Sequence, residues 1–286
     1  MSREVLDIFA GTRKRLFVDC TLGMGGHCRL ILFAFSGARV IAIDQDGQSL
    51  ARARENLREF GRRIRFHQGD FLSLFDDFDC EHPPVSGILV DPGISTAQLK
   101  DPRRGFSHSV DGPLDMRKDS GSGPTAAEVL NSLSEDELAD LFSRYGEVAS
   151  SRRLAKAIIE KRLFSPWKST VQLRRLIEEL FGWRPRPGRV HPAAQVFQAL
   201  RIFVNRELEG LEAWLERLPS SLPSGCRVVF LTYHSLEDRV VKRMFRQLQR
   251  QGRAALLPPF PARPRGDEIE ENLASRSAKL RALEVA

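Results

Sequence analysis

The sequence predicts an α/β fold in which a helical insert interrupts an open, doubly wound parallel sheet. Three patterns support this prediction. Strand and helix signals alternate over the first ninety residues, helical signals dominate the middle of the chain, and a strand signal returns near residue 227. We therefore expect a sheet domain made of residues 1–125 and 216–286, with a helical domain at residues 126–215.

Four short apolar runs near the amino terminus have the length and composition of buried strands. They cover residues 16–19, 40–43, 64–67 and 85–90. Helical spacing is found between them at residues 29–35 and 49–60. Carboxylates end or follow three of the runs, at Asp19, Asp44 and Asp91. Because an open α/β sheet binds ligands at the carboxyl ends of its strands, these ends are where we expect the site.

A long loop is predicted at residues 92–125, which are rich in Gly, Pro, Asp and Ser. A loop of this length inside a compact domain is usually functional. The helix that follows begins with a capping box made by Ser134 and Glu137. Further helices are predicted at residues 151–161, 170–181 and 193–218, with a connector rich in Arg and Pro at residues 183–188.

Strand character returns at residues 227–232, and the next helix has Ser235 and Asp238 as its predicted cap. The Pro-rich stretch at residues 257–264 and the basic tail after it are predicted to be flexible or extended. The sequence shows neither internal repeats nor heptads, so it predicts no oligomeric state.

Composition restricts the class of protein. The 286 residues are 42% hydrophobic and 28% charged, which is typical of a soluble globular chain. No apolar run approaches the roughly 18 residues of a membrane span, and the first residues lack a secretory signal, so we expect a cytoplasmic protein. The four cysteines are scattered without paired spacing, so we expect neither a metal site nor a disulfide.

The formal net charge is +7 and the sequence pI is about 9.6. Lys and Arg bind phosphates and attract polyanions from a distance, so nucleic acid is one candidate partner. Many basic proteins have no such partner, and charge alone does not separate the two interpretations.

A glycine loop, DCTLGMGGH, begins at the end of the first predicted strand and includes Gly25, Gly26 and His27. Glycines there let a ligand approach the backbone, and the helix that follows offers free amides. The loop lacks the last glycine of a dinucleotide fingerprint and the G-K-S/T of a phosphate loop. For the loop taken alone, a plain tight turn is the alternative.

Asp44 favours a ligand that contains adenosine, because an acid at the end of the second strand can accept hydrogen bonds from both ribose hydroxyls. That ligand is NAD or S-adenosylmethionine, and the absent third glycine favours the latter, which has no pyrophosphate. After the third strand, Asp70 is placed to meet the adenine amine and Phe71 to stack on the ring. A core position for Phe71 is the alternative.

Asp91 and Pro92 indicate the reaction. They resemble the Asp/Asn-Pro-Pro-aromatic segment of enzymes that methylate exocyclic amines, although the second proline and the aromatic are missing. The lone pair of such an amine is delocalised into its ring. A carboxylate and a backbone carbonyl can accept the N–H bonds and favour a tetrahedral nitrogen that attacks the methyl group. An ordinary Asp-Pro turn after a strand is the alternative.

Longer motifs carry a more specific resemblance. In chain order they are GGH from Gly25, DPGISTAQL from Asp91, DPRRGFS from Asp101, DGPLDMR from Asp111, HPA from His191, FQALRI from Phe197, YHSLEDR from Tyr233 and ASRSAKLR from Ala274. Together they resemble the bacterial 16S rRNA (cytosine-N4)-methyltransferase family known as RsmH or MraW. The resemblance extends over residues 18–281, nearly the entire chain.

The resemblance implies a class I, Rossmann-like methyltransferase fold with an inserted helical domain for RNA recognition. It implies S-adenosyl-L-methionine as cofactor and, as substrate, the N4 amine of cytosine 1402 in 16S rRNA of the small ribosomal subunit. The implied cofactor contacts are Gly25, Gly26, His27, Asp44, Phe71, Asp91 and Gln98, with Asp91 and Pro92 at the reaction. We add substrate-side candidates, for which loop salt bridges and helix capping are the alternatives; they are Asp115, Arg117, His234 and Asp238.

The chain departs from the family pattern at several positions. Pro92 replaces a leucine, Gln195 an arginine and Tyr233 a phenylalanine. An N-terminal His-x-Pro-Val-Leu segment is absent, so we expect a divergent member with a shortened N-terminus. Two other functions stay open: a methyltransferase of DNA or of a small amine, and an RNA-binding protein with a residual cofactor pocket. No residue is an obvious general base.

Overall fold

The computed structural model describes residues 1–12, 15–80, 82–186 and 190–286. The chain divides into two compact units. The first unit comprises Met1–Gly93 and Leu208–Ala286, and the second comprises Ile94–Glu207. The first contains the sheet and the second is helical, so the predicted α/β class with a helical insert is confirmed.

The sheet of the first unit contains seven strands within the described residues. They are β1 Leu16–Asp19, β2 Arg39–Asp44, β3 Ile64–Gln68, β4 Gly87–Val90, β5 Arg227–Thr232, β6 Ala254–Ala262 and β7 Lys279–Val285. Their order in the sheet is β3-β2-β1-β4-β5-β7-β6. β1 to β5 pair in parallel, whereas β7 is antiparallel to both β5 and β6. The bounds predicted for β1 and β5 are confirmed.

The described part of the chain also forms thirteen α-helices. They are α1 Ser2–Ala10, α2 Gly26–Ala34, α3 Gly47–Asn56, α4 Leu74–Asp77, α5 Thr96–Lys100, α6 Ala126–Ser132, α7 Glu135–Gly146, α8 Ser151–Arg162, α9 Thr170–Leu180, α10 Pro192–Val204, α11 Leu211–Ser221, α12 Ser235–Arg250 and α13 Gly266–Glu271. None of these helices combines the length and the apolar character that a membrane-spanning segment needs.

Helices cover both faces of the sheet, as a buried parallel sheet requires. One hydrophobic cluster joins α1, α2 and α3 to the sheet and includes Phe9, Ile31 and Leu50. A second cluster joins α11 and α12 to the sheet and includes Leu215 and Phe245. Successive strand residues therefore point into different clusters, one on each face of the sheet.

The strand order places a topological switch point between β1 and β4. From β1 the chain moves outward to β2 and β3, and then returns to the other side of β1 to form β4. The connections therefore diverge there, which opens a crevice at the carboxyl ends of β1 and β4. Ligands of open α/β sheets bind in such a crevice, so the topology selects these two strand ends.

The second unit packs α6 to α10 around one core that includes Leu130, Phe142 and Leu200. The predicted loop contributes to this core, because Phe106 and Leu114 are buried in it. For this reason the compact unit begins at Ile94, upstream of the predicted bound at residue 126, and it ends at Glu207 rather than residue 215.

Three predictions about helices were wrong. The single helix at residues 193–218 is divided into α10 and α11, because Arg206 and Gly210 adopt positive φ angles of 49° and 74° between them. The region predicted as loop up to residue 125 contains α5, and α6 follows at once with a capping box of Thr125 and Glu128. The cap of α12 is the His234 side chain, which accepts a hydrogen bond from the Glu237 N–H.

Of the two C-terminal alternatives, flexible or extended, the structure shows the extended one in two strands. The stretch predicted as flexible or extended forms β6, and the basic tail forms β7 inside the sheet. Their backbone hydrogen bonds come from strand pairing, which composition does not reveal. The connector predicted at residues 183–188 is described to residue 186, and its last two residues lie outside the described residues.

Candidate functional site

The carboxyl ends of β1 and β4 carry two acids at the switch point. β1 ends at Asp19, and Asp91 directly follows β4. The backbone N–H of Asp91 donates to Oγ1 of Thr21 at 2.7 Å, which ties the two strand ends together. The structure thus brings these acids to one edge of the sheet, as the sequence predicted.

The glycine loop combines an obligatory turn with an open surface. Gly25 has a φ of +84°, and a Cβ there would lie 2.7 Å from Cδ1 of Leu57. Gly26, the first residue of α2, would place a Cβ with no heavy atom within 4 Å. Gly25 is therefore required by backbone and packing, whereas Gly26 leaves space at a helix N-terminus where a ligand can approach the backbone.

Asp44 ends β2 and is fixed against the glycine loop. The Gly23 N–H donates to its Oδ2 at 2.7 Å, and the Asp46 N–H donates to its Oδ1 at 2.9 Å. Two charge-assisted bonds hold the carboxylate in one plane. A carboxylate accepts up to about four hydrogen bonds, so this orientation is compatible with ribose hydroxyls as further donors.

Phe71 follows β3 and belongs to an aromatic cluster. Asp70 caps its short 3-10 turn by accepting a hydrogen bond from the Leu72 N–H at 3.0 Å. The Phe71 ring packs edge-on against Trp214, with 5.3 Å between centroids, and Trp214 stacks on Phe75 at 5.2 Å. Phe71 is only partly buried, which is compatible with both the stacking and the core interpretation.

His27 contacts Asp91. Its Nε2 lies 3.5 Å from Oδ2 of Asp91. Burial lowers the pKa of His27, but the hydrogen bond to Asp91 and the negative charges of Asp91 and Asp19 outweigh burial, so that the pKa is raised above its usual value. The imidazole therefore offers Asp91 a positive charge or a hydrogen-bond donor.

Asp19 is a buried acid that the sequence marked only as a strand end. It is 1% exposed, and its Oδ1 accepts a hydrogen bond from the Thr21 N–H at 3.3 Å. Burial raises the pKa of Asp19 to about 7, and the charges of Asp91 and Asp44 add to the increase although His27 opposes it. Its Oδ2 is buried without a hydrogen-bond partner among the described residues.

Tyr233 is a site residue that the sequence did not predict. It directly follows β5, and it lies near enough to Asp91 for that carboxylate to influence its phenol. Burial is the main cause that raises the pKa of the Tyr233 phenol, and the negative charge of Asp91 raises it further. Its place after a strand end, like that of Asp91, was the available signal.

Two predicted substrate-side residues lie next along the chain. His234 accepts the Glu237 N–H on Nδ1 at 3.4 Å. Asp238 accepts from Nζ of Lys279 and Nε of Arg281, each at 2.8 Å. Burial opposes ionisation of Asp238, yet these two cations lower its pKa to about 2. Both residues thus have the capping and ion-pairing contacts of the structural alternative.

Three predicted site residues lie in the second unit. Gln98 completes the capping box of α5, because its Oε1 accepts the Ser95 N–H at 2.9 Å. Asp115 and Arg117 form a two-pronged ion pair, with Nε and a terminal guanidinium nitrogen of Arg117 each 2.8 Å from a carboxylate oxygen. These contacts are those of a loop salt bridge, and a role toward substrate stays a prediction.

The cluster in the first unit suits a ligand that is cationic and rich in hydrogen-bond donors. Oδ2 of Asp19 and Oδ1 of Asp91 are buried and have no hydrogen-bond partner within the described ranges. A buried oxygen without a donor costs roughly 1–3 kcal/mol. A ligand with an ammonium, a sulfonium and a ribose would supply charge and donors here, and S-adenosylmethionine carries all three. The residues present therefore fit that cofactor. Across the described part of the chain, no group of three or more metal-ligating side chains is found.

Comparisons with known proteins show the family of the chain. The model of the MraW methylase family matches residues 1–286. Ribosomal RNA small subunit methyltransferase H of Rippkaea orientalis is 44% identical over 269 residues, which cover 94% of this chain and 85% of the relative. The protein of the same name from Solibacter usitatus is 42% identical over 286 residues, which cover 100% of this chain and 98% of the relative. A solved rRNA methylase from Streptococcus thermophilus is 13% identical over 99% of this chain and 94% of its own, with a TM-score of 0.43 that is too low to carry an argument.

Proposed function

The chain belongs to the MraW methylase family, and on that premise we propose that it methylates the N4 amine of cytosine 1402 in 16S rRNA of the small ribosomal subunit. It is an rRNA methyltransferase, and S-adenosyl-L-methionine is its cofactor. A ribosomal substrate also leads us to expect a cytoplasmic protein. The observation that carries the proposal is the pair of carboxylates, Asp19 and Asp91, beside His27 at the switch point.

The cofactor assignment follows the geometry of the first unit. Gly26 leaves room beside the backbone, and Asp44 is oriented by the Gly23 amide for ribose hydroxyls. Phe71 lies after the neighbouring strand, where an adenine ring would contact it. We assign Gly25, His27, Asp91 and Gln98 to the same cofactor because they match the family motifs.

The acceptor amine needs a partner that draws electron density toward nitrogen. The Asp91 side chain is 23% exposed, so it is an acceptor that a substrate can reach. A hydrogen bond from the amine N–H to the carboxylate weakens the conjugation of the nitrogen lone pair with the ring. The backbone carbonyl groups that follow can accept a second hydrogen bond, and Pro92 itself has no backbone N–H that would compete as a donor. The bound cofactor supplies a methyl group on a sulfonium. After transfer the nitrogen is acidic enough to lose its proton without a dedicated base.

Four polar residues are our candidates on the substrate side. We propose Asp115, Arg117, His234 and Asp238 as residues that affect RNA binding, but each is already engaged in a cap or an ion pair. The net charge of +7 favours association with the RNA backbone. Recognition of a single cytosine in folded RNA requires an exposed base, because a stacked base hides its amine.

Methyl transfer to purified ribosomal subunits tests the proposal. Small subunits from a strain that lacks the gene would be incubated with the protein and isotopically labelled cofactor, and the nucleosides would be analysed by mass spectrometry. We expect label at N4 of cytosine 1402. Asp91→Asn should lower the rate by about 100-fold, whereas Asp140→Asn, an exposed acid paired with Arg144, serves as the matched control. Label elsewhere would contradict the assignment of the target atom.

A further inference from the structure

The second unit contains a cleft lined by aromatic and charged side chains. The cleft encloses about 340 Å³, and its lining includes His108, Arg174, Glu178, Trp183 and His191. All five residues belong to one compact unit, with Arg174 and Glu178 on α9 and His191 as the N-cap of α10. The volume is at the lower end of the range for ligand-binding sites, so the cleft suits a ligand the size of one nucleotide.

Three rings of the lining are in contact with one another. The His108 and His191 rings stack with 4.8 Å between their centroids and an angle of 21° between their planes. The Trp183 ring packs on His191 with 4.9 Å between centroids. Trp183 is partly exposed, whereas Trp167 and Trp214 are each 2% exposed. An accessible indole beside stacked imidazoles is a surface on which an unpaired nucleobase can stack.

The polar groups of the cleft are held in fixed directions. Nδ1 of His191 accepts the Ala193 N–H at 3.1 Å, so the proton of the neutral ring is on Nε2, 3.1 Å from Oε1 of Glu178. Nε of Arg174 lies 3.5 Å from the same oxygen, and its Nη1 donates to the His108 carbonyl at 3.5 Å. The Glu178 side chain is 35% exposed, so its carboxylate can accept further hydrogen bonds from the amine of a base.

Arginines border the aromatic rings. Arg184 and Arg186 are exposed and flank Pro185, which lines the cleft together with Trp183. The Arg174 side chain is 29% exposed at the cleft itself. A guanidinium binds phosphate through several N–H donors, and cations beside stacking rings are typical of proteins that bind single-stranded nucleic acid. Charge and shape therefore favour a nucleotide of a polyanion over an uncharged ligand.

We propose that this cleft of the second unit binds one unpaired nucleotide of the RNA substrate, with the base stacked on the aromatic rings and the phosphate held by arginine. The inference rests on RNA as the substrate in the proposed function. It concerns binding, and it assigns no step of methyl transfer to these residues. A paired base is already stacked and hydrogen-bonded inside a helix, so the cleft should select single-stranded RNA.

The fluorescence of Trp183 reports the stacking without any activity. The chain has three tryptophans, and the two others are buried, so Trp183 is the one that an added base can reach. We expect a short unstructured oligoribonucleotide, added at low salt without cofactor, to quench the tryptophan fluorescence in a saturable manner. The same strand annealed to its complement should not quench, because its bases are paired.

Trp183→Phe identifies the reporter, since the quench should disappear in this variant. Three results would overturn the proposal: no quench in the unmodified protein, an equal quench by the duplex, or a quench that survives Trp183→Phe. The first two measurements use the native side chains, so they stand even if a variant of the cleft fails to fold.

The affinity for RNA tests the cleft against net charge. Fluorescence anisotropy of a labelled single strand should give a dissociation constant about five- to tenfold larger for Arg174→Gln than for the unmodified protein. Arg144→Gln removes the same charge from an exposed position on α7, and it should change the constant by less than about twofold. His108→Ala keeps the net charge at neutral pH and should weaken binding about fivefold, because it removes a stacking ring. Equal constants for the two arginine variants would overturn the proposal.

This inference and the proposed function fail separately. Quenching of Trp183 requires neither cofactor nor methyl transfer. A protein that binds the single strand in this way but does not methylate cytosine 1402 would contradict the proposed function alone. A protein that methylates this cytosine while Trp183 does not respond to RNA would contradict the nucleotide-binding cleft alone.

Discussion

Asp19 and Asp91 terminate neighbouring parallel strands, and each has one buried carboxylate oxygen that no described residue hydrogen-bonds. Two such oxygens beside each other are unusual, because most buried polar atoms in folded proteins have partners. Their negative charges also oppose each other, since Asp91 contributes to the raised pKa of Asp19. The two strand ends therefore leave buried oxygens that a ligand with hydrogen-bond donors would satisfy.

Asp19→Asn should remove a pH dependence of stability. The folded pKa of Asp19 is raised to about 7 from 3.8, so the native state binds more protons than the unfolded chain between these values, and stability falls as pH rises through that window. The native protein should lose about 2 to 3 kcal/mol from this group between pH 5 and pH 8. Urea unfolding at both pH values measures the loss.

The Asn variant should lack this decrease, so the comparison uses the difference in unfolding free energy between the two pH values. Asp140→Asn provides the matched control, since that exposed acid should leave the profile unchanged. Equal pH dependence in the native and Asp19→Asn proteins would show that Asp19 is ionised throughout.

Gly25→Ala and Gly26→Ala should separate folding from cofactor binding. At Gly25 a methyl group meets Leu57 at 2.7 Å and the φ of +84° disfavours L-residues, so we expect a loss of about 2 to 4 kcal/mol in unfolding free energy. At Gly26 the methyl group meets open space, so stability should be retained while cofactor affinity falls about tenfold. Unfolding and calorimetric titration report the two effects, and wild-type affinity in Gly26→Ala would contradict the placement of the cofactor.

Asp44→Ala should weaken cofactor binding by about 10- to 100-fold, because it removes the ribose acceptor and releases the Gly23 and Asp46 amides. Calorimetry with S-adenosylmethionine gives the dissociation constants of both proteins. A failure of the unmodified protein to bind the cofactor would favour the alternative of an RNA-binding protein with a residual pocket.

Asp238→Asn should lower the free energy of unfolding, because Asp238 pairs with two cations. The substitution leaves the Arg281 side chain, which is 4% exposed, without its charged partner, and we expect a loss of about 3 to 5 kcal/mol. The pKa of Asp238 is lowered to about 2, so its stabilisation is complete above about pH 4 and is lost as the pH falls toward 2. An increased KM for RNA with unchanged stability would support the substrate role instead.

The sequence predicted the features that depend on local pattern. The ends of β1 and β5 are marked by apolar runs that stop at Asp19 and Thr232, and the Ser134–Glu137 capping box begins α7 where expected. These signals lie within a few residues of the feature that they specify. Asp44 and Asp91 follow from the same rule, because parallel strands end at a common edge.

The missed features depend on contacts between distant segments. In the sequence, β7 has the composition of a basic tail, and only its pairing with β5 and β6 identifies it as a strand. Its Arg281 forms an ion pair with Asp238, which lies 43 residues earlier in the chain. The proximity of Tyr233 to Asp91 requires the pairing of β4 with β5, which no local pattern contains. The start of the second compact unit at Ile94 likewise depends on where the side chains of residues 92–125 are buried.

The position of β7 has a consequence for how the chain reaches its native state. Lys279–Val285 is synthesised after every other strand, yet it occupies an interior place between β5 and β6. The continuous segment Ile94–Glu207 has its own core and can fold while translation continues. The edge of β5 that pairs with β7 stays unpaired until β7 has been synthesised. During that interval β5 exposes a free strand edge that other chains can pair with. Nascent chains at this stage should therefore be the most prone to aggregation and the most dependent on chaperones.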